Sequence, residues 1–358
     1  EFVCLARKSA VKSARQRTEE IIRDECKFDG CPELADRILS KVSVIEGDVV
    51  DLDPVEMAKN PLLEGVNVVF HCAADVNLGQ DPTGRTFRIN YQGSKNIVEL
   101  AKLLKVKELH YVGTAYIAGR LVGRAIEDNP IDSGFNNPYE ESKYKAEMLV
   151  RNSGIPFSIY RPSIITGRRS DGRIRKPLAF YRILEFLGKL KSHRCSKLGV
   201  PHVQPVNLGI NFATIPSEHV YFVPIDYVQE AITALFQQPV ENRAYHVTGE
   251  SPLTTRQIQD AVCGVLRLEG VSIDPNEDSP NMDNKLMSRF LGDLFPYFSS
   301  DIVFDQSNVR KALGDKILDW EYGTKGLEIL IRSYYKDYFP KVEWLQKLAA
   351  TPMDEPVK

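Results

Sequence analysis

Apolar and polar positions along this chain switch repeatedly between a period of two and a period near 3.6, which predicts strand and helix in alternation. Residues 1–6 (E-F-V-C-L-A) form a short apolar run of β character, and residues 9–26 then set Ala, Ile and charged side chains at helical spacing. Residues 42–46 predict a second strand, ended by Gly47-Asp48, with a short helix near 54–59. Residues 67–72 (N-V-V-F-H-C) are nearly all apolar, as in a strand covered on both faces. A long helix fits 83–104, a strand 109–112, a helix from Tyr139 until Gly154 stops it, and a further strand 156–161. Such alternation argues for an α/β fold built on a parallel sheet with helices on both faces.

After Gly167 the pattern changes. Residues 168–176 make a basic, glycine-containing loop, and 177–190 carry Phe180, Ile183, Leu184 and Leu187 on one helical face. A short strand at 220–223 leads through Pro224-Ile225-Asp226 into a helix ending near Phe236; a strand at 245–248 and a helix at 254–266, with Thr254 as its cap, follow. Residues 274–284, polar and holding Pro275 and Pro280, are the best linker, and the rest reads as helices at 285–294, 308–313 and 324–339. The expected organisation is a nucleotide-binding core at 1–167, rejoined by 220–248, and a smaller, mostly helical substrate-binding lobe from 168–219 and 249–358.

Composition narrows the class. The 358 residues are 43% hydrophobic and 26% charged, enough to bury a full core. With 46 basic and 48 acidic side chains the net charge is -2, so no global attraction to nucleic acid or to an anionic membrane is expected. Six scattered cysteines without zinc or C-x-x-C spacing point to free thiols in a reducing, cytoplasmic setting. No apolar stretch approaches the ~18 residues of a membrane span, and the first residues do not read as a signal peptide. The six histidines form no H-E-x-x-H or close ligand pair, so no metal site is expected, and neither a G-x-S-x-G elbow nor a P-loop occurs.

The candidate chemistry lies between Tyr111 and Ala146. Thr114 ends a strand, and Tyr139 and Lys143 stand four residues apart on a helix. A hydroxyl, a phenol and an ammonium so carried can converge on one carbonyl oxygen, which suits hydride transfer. A Rossmann-type, doubly wound sheet normally opens with a glycine-rich turn that lets backbone approach the pyrophosphate. This chain has no such motif. Its first strand runs instead into Arg7-Lys8, as the second strand of such a sheet does when cations pair with an adenosine 2′-phosphate, so NADP(H) is the preferred cofactor and NAD(H) the alternative. The first strand and its glycine turn are then expected upstream of residue 1, which would leave two open ladders between neighbours about 9.6 Å apart. In the competing reading, residues 1–6 are strand one with a degenerate turn, and Lys8 and Val11 would crowd the phosphates.

An ordered set of strings extends the picture: Gly47-Asp48-Val49, H-C-A-A-D-V-N at 71–77, N-Y-Q-G-S at 90–94, Y-V-G-T-A-Y-I-A-G at 111–119, Y-E-E-S-K at 139–143, Arg161-Pro162-Ser163 and V-P-I-D-Y-V at 223–228. Together they resemble the extended short-chain dehydrogenases/reductases, and most closely the thioester reductase and fatty acyl-CoA reductase group. The chain departs from that group in lacking the glycine turn and in holding Gly113 where Ser is usual. The resemblance implies that Thr114 bonds the substrate carbonyl, that Tyr139 is the general acid, and that Lys143 lowers the phenol pKa and holds the nicotinamide ribose. It further implies that Asp48 and Val49 touch the adenine, that the cofactor lies over Ala73 and Ala74, that Pro162 and Ser163 line the nicotinamide, and that Asn90 supports the site.

Taken singly, each residue has a plainer reading. Y-x-x-x-K recurs by chance on amphipathic helices, a Thr after a strand is usually a cap, Asp48 a turn former, and Ala73-Ala74 tight packing. The ordered set outweighs these readings. The expected function is NADPH-dependent reduction of an acyl thioester, on CoA or a carrier protein, to an aldehyde, with further reduction to an alcohol left open. An extended reductase, epimerase or dehydratase acting on a nucleotide sugar, sterol or other carbonyl is the alternative, and a non-catalytic cofactor-binding sensor a third. Basic residues at 168–176 and Lys189, Lys191, Arg194 and Lys197 read as a solvated surface, with CoA or phosphopantetheine phosphates as the functional alternative.

Overall fold

The computed structural model describes residues 1–276, 281–314 and 322–339. Its strands are β1 Phe2–Ala6, β2 Val42–Glu46, β3 Val68–His71, β4 Glu108–Val112, β5 Gly123–Ala125, β6 Phe157–Pro162, β7 Ile164–Thr166, β8 Val206–Phe212, β9 Phe222–Pro224, β10 Arg243–Val247, β11 Leu268–Ile273 and β12 Ile302–Phe304. The helices are α1 Ala14–Phe28, α2 Ala35–Leu39, α3 Pro54–Met57, α4 Arg85–Phe87, α5 Gly93–Leu103, α6 Pro138–Arg151, α7 Phe180–Leu198, α8 Ile225–Phe236, α9 Thr255–Leu266, α10 Met282–Leu291, α11 Phe295–Phe298, α12 Ser307–Leu313 and α13 Gly323–Tyr338. The chain forms two compact units. The first comprises Glu1–Gly113, Asn137–Ile159 and Pro239–Arg243; the second holds Thr114–Asn136, Tyr160–Gln238 and the described residues from Ala244 on.

In the first unit, β1 pairs in parallel with β2, Phe2 opposite Val42 and Ala6 opposite Glu46. Separately, β3 pairs in parallel with β4, Val68 opposite Glu108. The β3–β4 pair lies at the edge of a four-stranded sheet of order β10-β6-β4-β3, while β1 and β2 form a two-stranded sheet of their own. Among the described residues, then, β1 has one partner and β3 has one partner, and each leaves one edge of its ladder open. The expectation that the third strand is covered on both faces is corrected: Phe70 is 44% exposed.

Local signals account for the helices. Ser13 caps α1 in a capping box with Gln16, and Thr254 caps α9 in another with Gln257. The helix expected at 83–104 is continuous but not uniform. Between α4 and α5, Arg88–Gln92 form a π-helical segment, a register that often marks a functional position. Within the linker expected at 274–284, residues 277–280 lie outside the described ones, and Asn281 caps α10 by accepting from the Asn284 amide.

The second unit carries more strand than expected. The parallel pair β8 and β11, the pair β7 and β9, and the pair β5 and β12 interleave with the helices, so this part of the chain is not purely helical. One close approach fixes the loop after Thr114. Gly119 has φ +58, and a Cβ there would stand 2.0 Å from the Gly134 carbonyl oxygen, which already accepts from the Arg120 amide. Gly119→Ala is expected to lower stability by about 2 kcal/mol or more, read as a fall in melting temperature. An unchanged melting temperature would show that this loop does not pack as described.

Candidate active site

Helix α6 starts where three sequence features coincide. The Asn137 side chain accepts from the Glu140 amide, Pro138 occupies the first turn, and Glu140 and Glu141 lie at the positive end of the helix. Its buried positions include Tyr139, Ser142, Lys143, Ala146, Glu147 and Val150, a stripe at three- and four-residue spacing. The periodicity that buries the apolar members of this stripe therefore buries Tyr139 and Lys143 with them, one turn apart on one face.

Lys143 is 2% exposed. Its Nζ donates to the Val112 carbonyl at 2.7 Å and lies 4.4 Å from the centre of the Tyr111 ring. Burial pushes its pKa down from 10.5 to about 7, against opposing contributions from Cys72 and Glu147. The ammonium is thus held at the threshold of losing its proton near neutral pH.

Asn90 sits in the π segment and is 1% exposed. Its Oδ1 accepts from the Asp75 amide at 2.8 Å, and its Nδ2 donates to the Asp75 carbonyl and to Ser142 Oγ, each at 3.0 Å. Ser142 Oγ in turn donates to the Tyr139 carbonyl at 2.8 Å. A line of hydrogen bonds therefore runs from the loop after β3, through Asn90, to the backbone of Tyr139. Ser94 Oγ donates to the Asn90 carbonyl at 2.6 Å, which leaves it to accept from His71 Nε2 at 2.9 Å and assigns the proton of that imidazole to Nε2. Burial, helped by the charge of Lys143, lowers the His71 pKa to about 3, so this ring is neutral. Ser142, Ser94, Asp75 and His71 were not singled out from sequence. Ser142 had a signal, being three residues from Tyr139 on the same face.

At the end of β1, Arg7 pairs with Asp48 at 3.4 Å and Lys8 with Glu46 at 3.2 Å; the two cations are 53% and 72% exposed. Ion pairs this exposed hold their members weakly. Asp48 Oδ1 also accepts from the Val50 amide, the turn-forming role weighed for it above. Val49 packs so closely on Gly93 that a Cβ there would come within 2.7 Å of Val49 Cγ2, and its carbonyl accepts from Asn96. Ala73 and Ala74 are exposed.

Thr114, Pro162 and Ser163 belong to the second unit. Thr114 is buried, accepts from the Tyr116 amide as the cap of a 3-10 turn at Ala115–Ala118, and donates to the Pro162 carbonyl at 3.4 Å. Ser163 Oγ is buried with no partner among the described residues. The basic side chains after Gly167 are mostly engaged within the chain: Arg168 with Asp171, Arg169 with Asp226 and Glu230, Arg194 with Asp283. Lys191 is fully buried, and its Nζ donates to the Leu266 carbonyl at 2.5 Å and the Gln204 carbonyl at 3.1 Å. A solvated or structural role describes these cations better than a phosphate cradle.

Residues 1–232 match the NAD-binding family described as Male sterility protein. The chain belongs to that family, which is of the extended short-chain dehydrogenase/reductase type, a class of NAD(P)-dependent oxidoreductases. It is 26% identical over 227 residues to the non-canonical nonribosomal peptide synthetase FrzA of a Cladobotryum species, covering 60% of this chain and 20% of that one. It is 30% identical over 196 residues to a putative fatty acyl-CoA reductase, CG8306, of Drosophila melanogaster, covering 45% and 37%. The chain thus spans a fifth to somewhat over a third of these curated relatives. Among solved structures, the terminal R domain of the myxalamid PKS-NRPS pathway superposes with TM-score 0.69 at 23% identity, covering 94% of this chain and 84% of that one. An archaeal thiolation-reductase di-domain superposes with TM-score 0.65 at 21% identity, covering 96% and 70%. Both share the fold.

The depressed Lys143 pKa has a sign that can be measured. Between pH 7 and 10.5 the unfolded chain keeps the Lys143 proton that the folded chain releases, so this group makes stability rise with pH across that window. The melting temperature of the wild type minus that of Lys143→Met is expected to increase from pH 7 to pH 9.5. A difference that stays flat would contradict the depressed pKa.

Proposed function

We propose that this chain is an NADPH-dependent reductase of acyl thioesters, releasing an aldehyde from CoA or from a carrier protein. The observation that supports it most is the stripe on α6, where Tyr139 and Lys143 are buried one turn apart and the backbone of Tyr139 is tied through Ser142 to Asn90. The residues present suit the cofactor. Arg7 and Lys8 are exposed cations only weakly engaged, Ala73 and Ala74 offer an exposed stretch without bulk, and Ser163 Oγ is a buried hydroxyl awaiting a partner. When bound, NADPH would supply a hydride to the thioester carbonyl carbon.

The chain's own residues would manage the oxygen and its proton. Thr114 would turn its hydroxyl from the Pro162 carbonyl to the substrate oxygen as negative charge develops there. Tyr139 would give that oxygen its phenolic proton. Lys143 in its ammonium form would stabilise the phenolate so produced, and the phenolate in turn would favour the ammonium over the neutral amine. A proton on Lys143 is therefore worth most at the moment Tyr139 has lost its own. The resulting hemithioacetal expels the thiol and leaves the aldehyde. In this division of labour, residues 1–167 with 220–248 serve the cofactor, and 168–219 with 249–358 serve the substrate. Relatives and solved neighbours from peptide synthetases support a carrier domain as the partner.

Tyr139→Phe is expected to cost about 10²–10⁴ in turnover while leaving the affinity for NADPH within about twofold of wild type. Loss of NADPH absorbance with an acyl-CoA, assayed in the full-length protein, measures the first, and quenching of protein fluorescence the second. Full activity in the variant would end this assignment.

A further inference from the structure

Two of the free cysteines meet at the end of α1. The helix closes there in a Schellman motif. Gly30, the residue after the Asp29 cap, has φ +76; its amide donates to the Lys27 carbonyl at 3.2 Å, and the Cys31 amide reaches back to the Cys26 carbonyl at 2.8 Å. In this motif the side chain just past the turn folds onto one in the last turn of the helix, and the contact is commonly apolar. Here both positions are cysteine. The two thiols hydrogen-bond each other, with Cys26 buried and Cys31 half-buried.

The backbone holds this contact in place from several sides. Gly30 supplies the left-handed turn before Cys31, Pro32 follows and keeps Cys31 out of the helical region, and Arg15 ties α1 to β2 by donating to the Val42 carbonyl at 3.0 Å. A disulfide needs two Cβ atoms close together and facing each other. Thiols already in contact across a turn meet that requirement by side-chain rotation alone. Packing does not call for two of them, since any small apolar pair would close the cap.

We propose that Cys26 and Cys31 form a reversible redox site, closed to a disulfide by a peroxide and reopened by a dithiol. The Cys31 sulfur, the more accessible, attacks one peroxide oxygen, becomes a sulfenic acid and releases water; the Cys26 sulfur then attacks it and expels the second oxygen as water. Both thiol protons leave in the water formed, so two thiols are oxidised as one peroxide is reduced. Desolvation, with Cys26, Glu33 and Asp29 adding to it, raises the Cys31 thiol above its ordinary value, so the site answers sustained exposure to oxidant. The inference is independent of the thioester chemistry proposed above, which uses neither cysteine.

Trypsin, cutting after Arg23, Lys27 and Arg37, places the two cysteines on separate peptides, 24–27 and 28–37. The full-length protein is incubated with hydrogen peroxide under native conditions, alkylated, digested and weighed. Peptide 24–27 joined to 28–37 is expected as the dominant linked pair, with loss of the two free thiols and their return on adding dithiothreitol. Closing this loop removes freedom from the unfolded chain, so the oxidised protein should melt roughly 2–6 °C above the reduced one. Cys31→Ser should abolish that rise; if this variant does not fold, the wild-type peptide map and melting shift decide. Native protein without the linked pair, a link formed only after unfolding in urea, Cys31 recovered alone as a sulfinic acid, or a melting temperature that does not rise on closure would each overturn the inference.

Discussion

A buried ammonium is costly unless something answers it, and Lys143 is the charge around which this chain's first unit is arranged. Its answers are a carbonyl at the end of β4, the face of Tyr111 and the carboxylate of Glu147 one turn further along α6. None of them fully repays the loss of water, which is why its pKa falls so far. In the proposed chemistry that shortfall is useful. A lysine comfortably neutralised by a carboxylate would have little left to offer a phenolate, whereas one held near its titration point gains most when a new negative charge appears beside it.

The strand end that receives Lys143 also leads to the residue proposed to hold the substrate oxygen. Val112 accepts from Lys143, and two residues later the chain reaches Thr114, which caps a 3-10 turn. The π segment around Asn90 does comparable work for Tyr139. Within it the Asn90 carbonyl accepts from Ser94 Oγ, and the Asn90 side-chain amide reaches Asp75 and Ser142. Three side-chain hydrogen bonds to a 1% exposed amide make this a fixed strut.

Much of this was legible from residues alone, for physical reasons. The α6 pair shows as i, i+4 spacing, the cap at Thr254 as a hydroxyl just ahead of a helical run, and the β1 and β2 strands as short apolar runs separated by helical spacing. What escaped falls into two kinds. Strands of three residues, such as β5, β7 and β12, are too short to display a period at all. β8 does display one, with Val206, Leu208, Ile210 and Phe212 alternating with Asn207, Gly209 and Asn211, but its partner β11 is broken at Gly270, where φ is +61 and the register shifts. The second kind is geometric. A π register leaves no mark in residue type, so nothing about N-Y-Q-G-S announces that the Asn90 side chain will reach Ser142.

The central claim is that the α6 pair and the strand-end threonine serve hydride delivery to a thioester carbonyl. It is tested most directly by supplying the full-length protein with an acyl-CoA and NADPH deuterated at the transferable position, then weighing the product. One deuterium on the carbonyl carbon of a released aldehyde, or two on an alcohol carbon, is the result expected. Recovery of intact acyl-CoA with no labelled aldehyde or alcohol, from protein shown to bind NADPH, would contradict it.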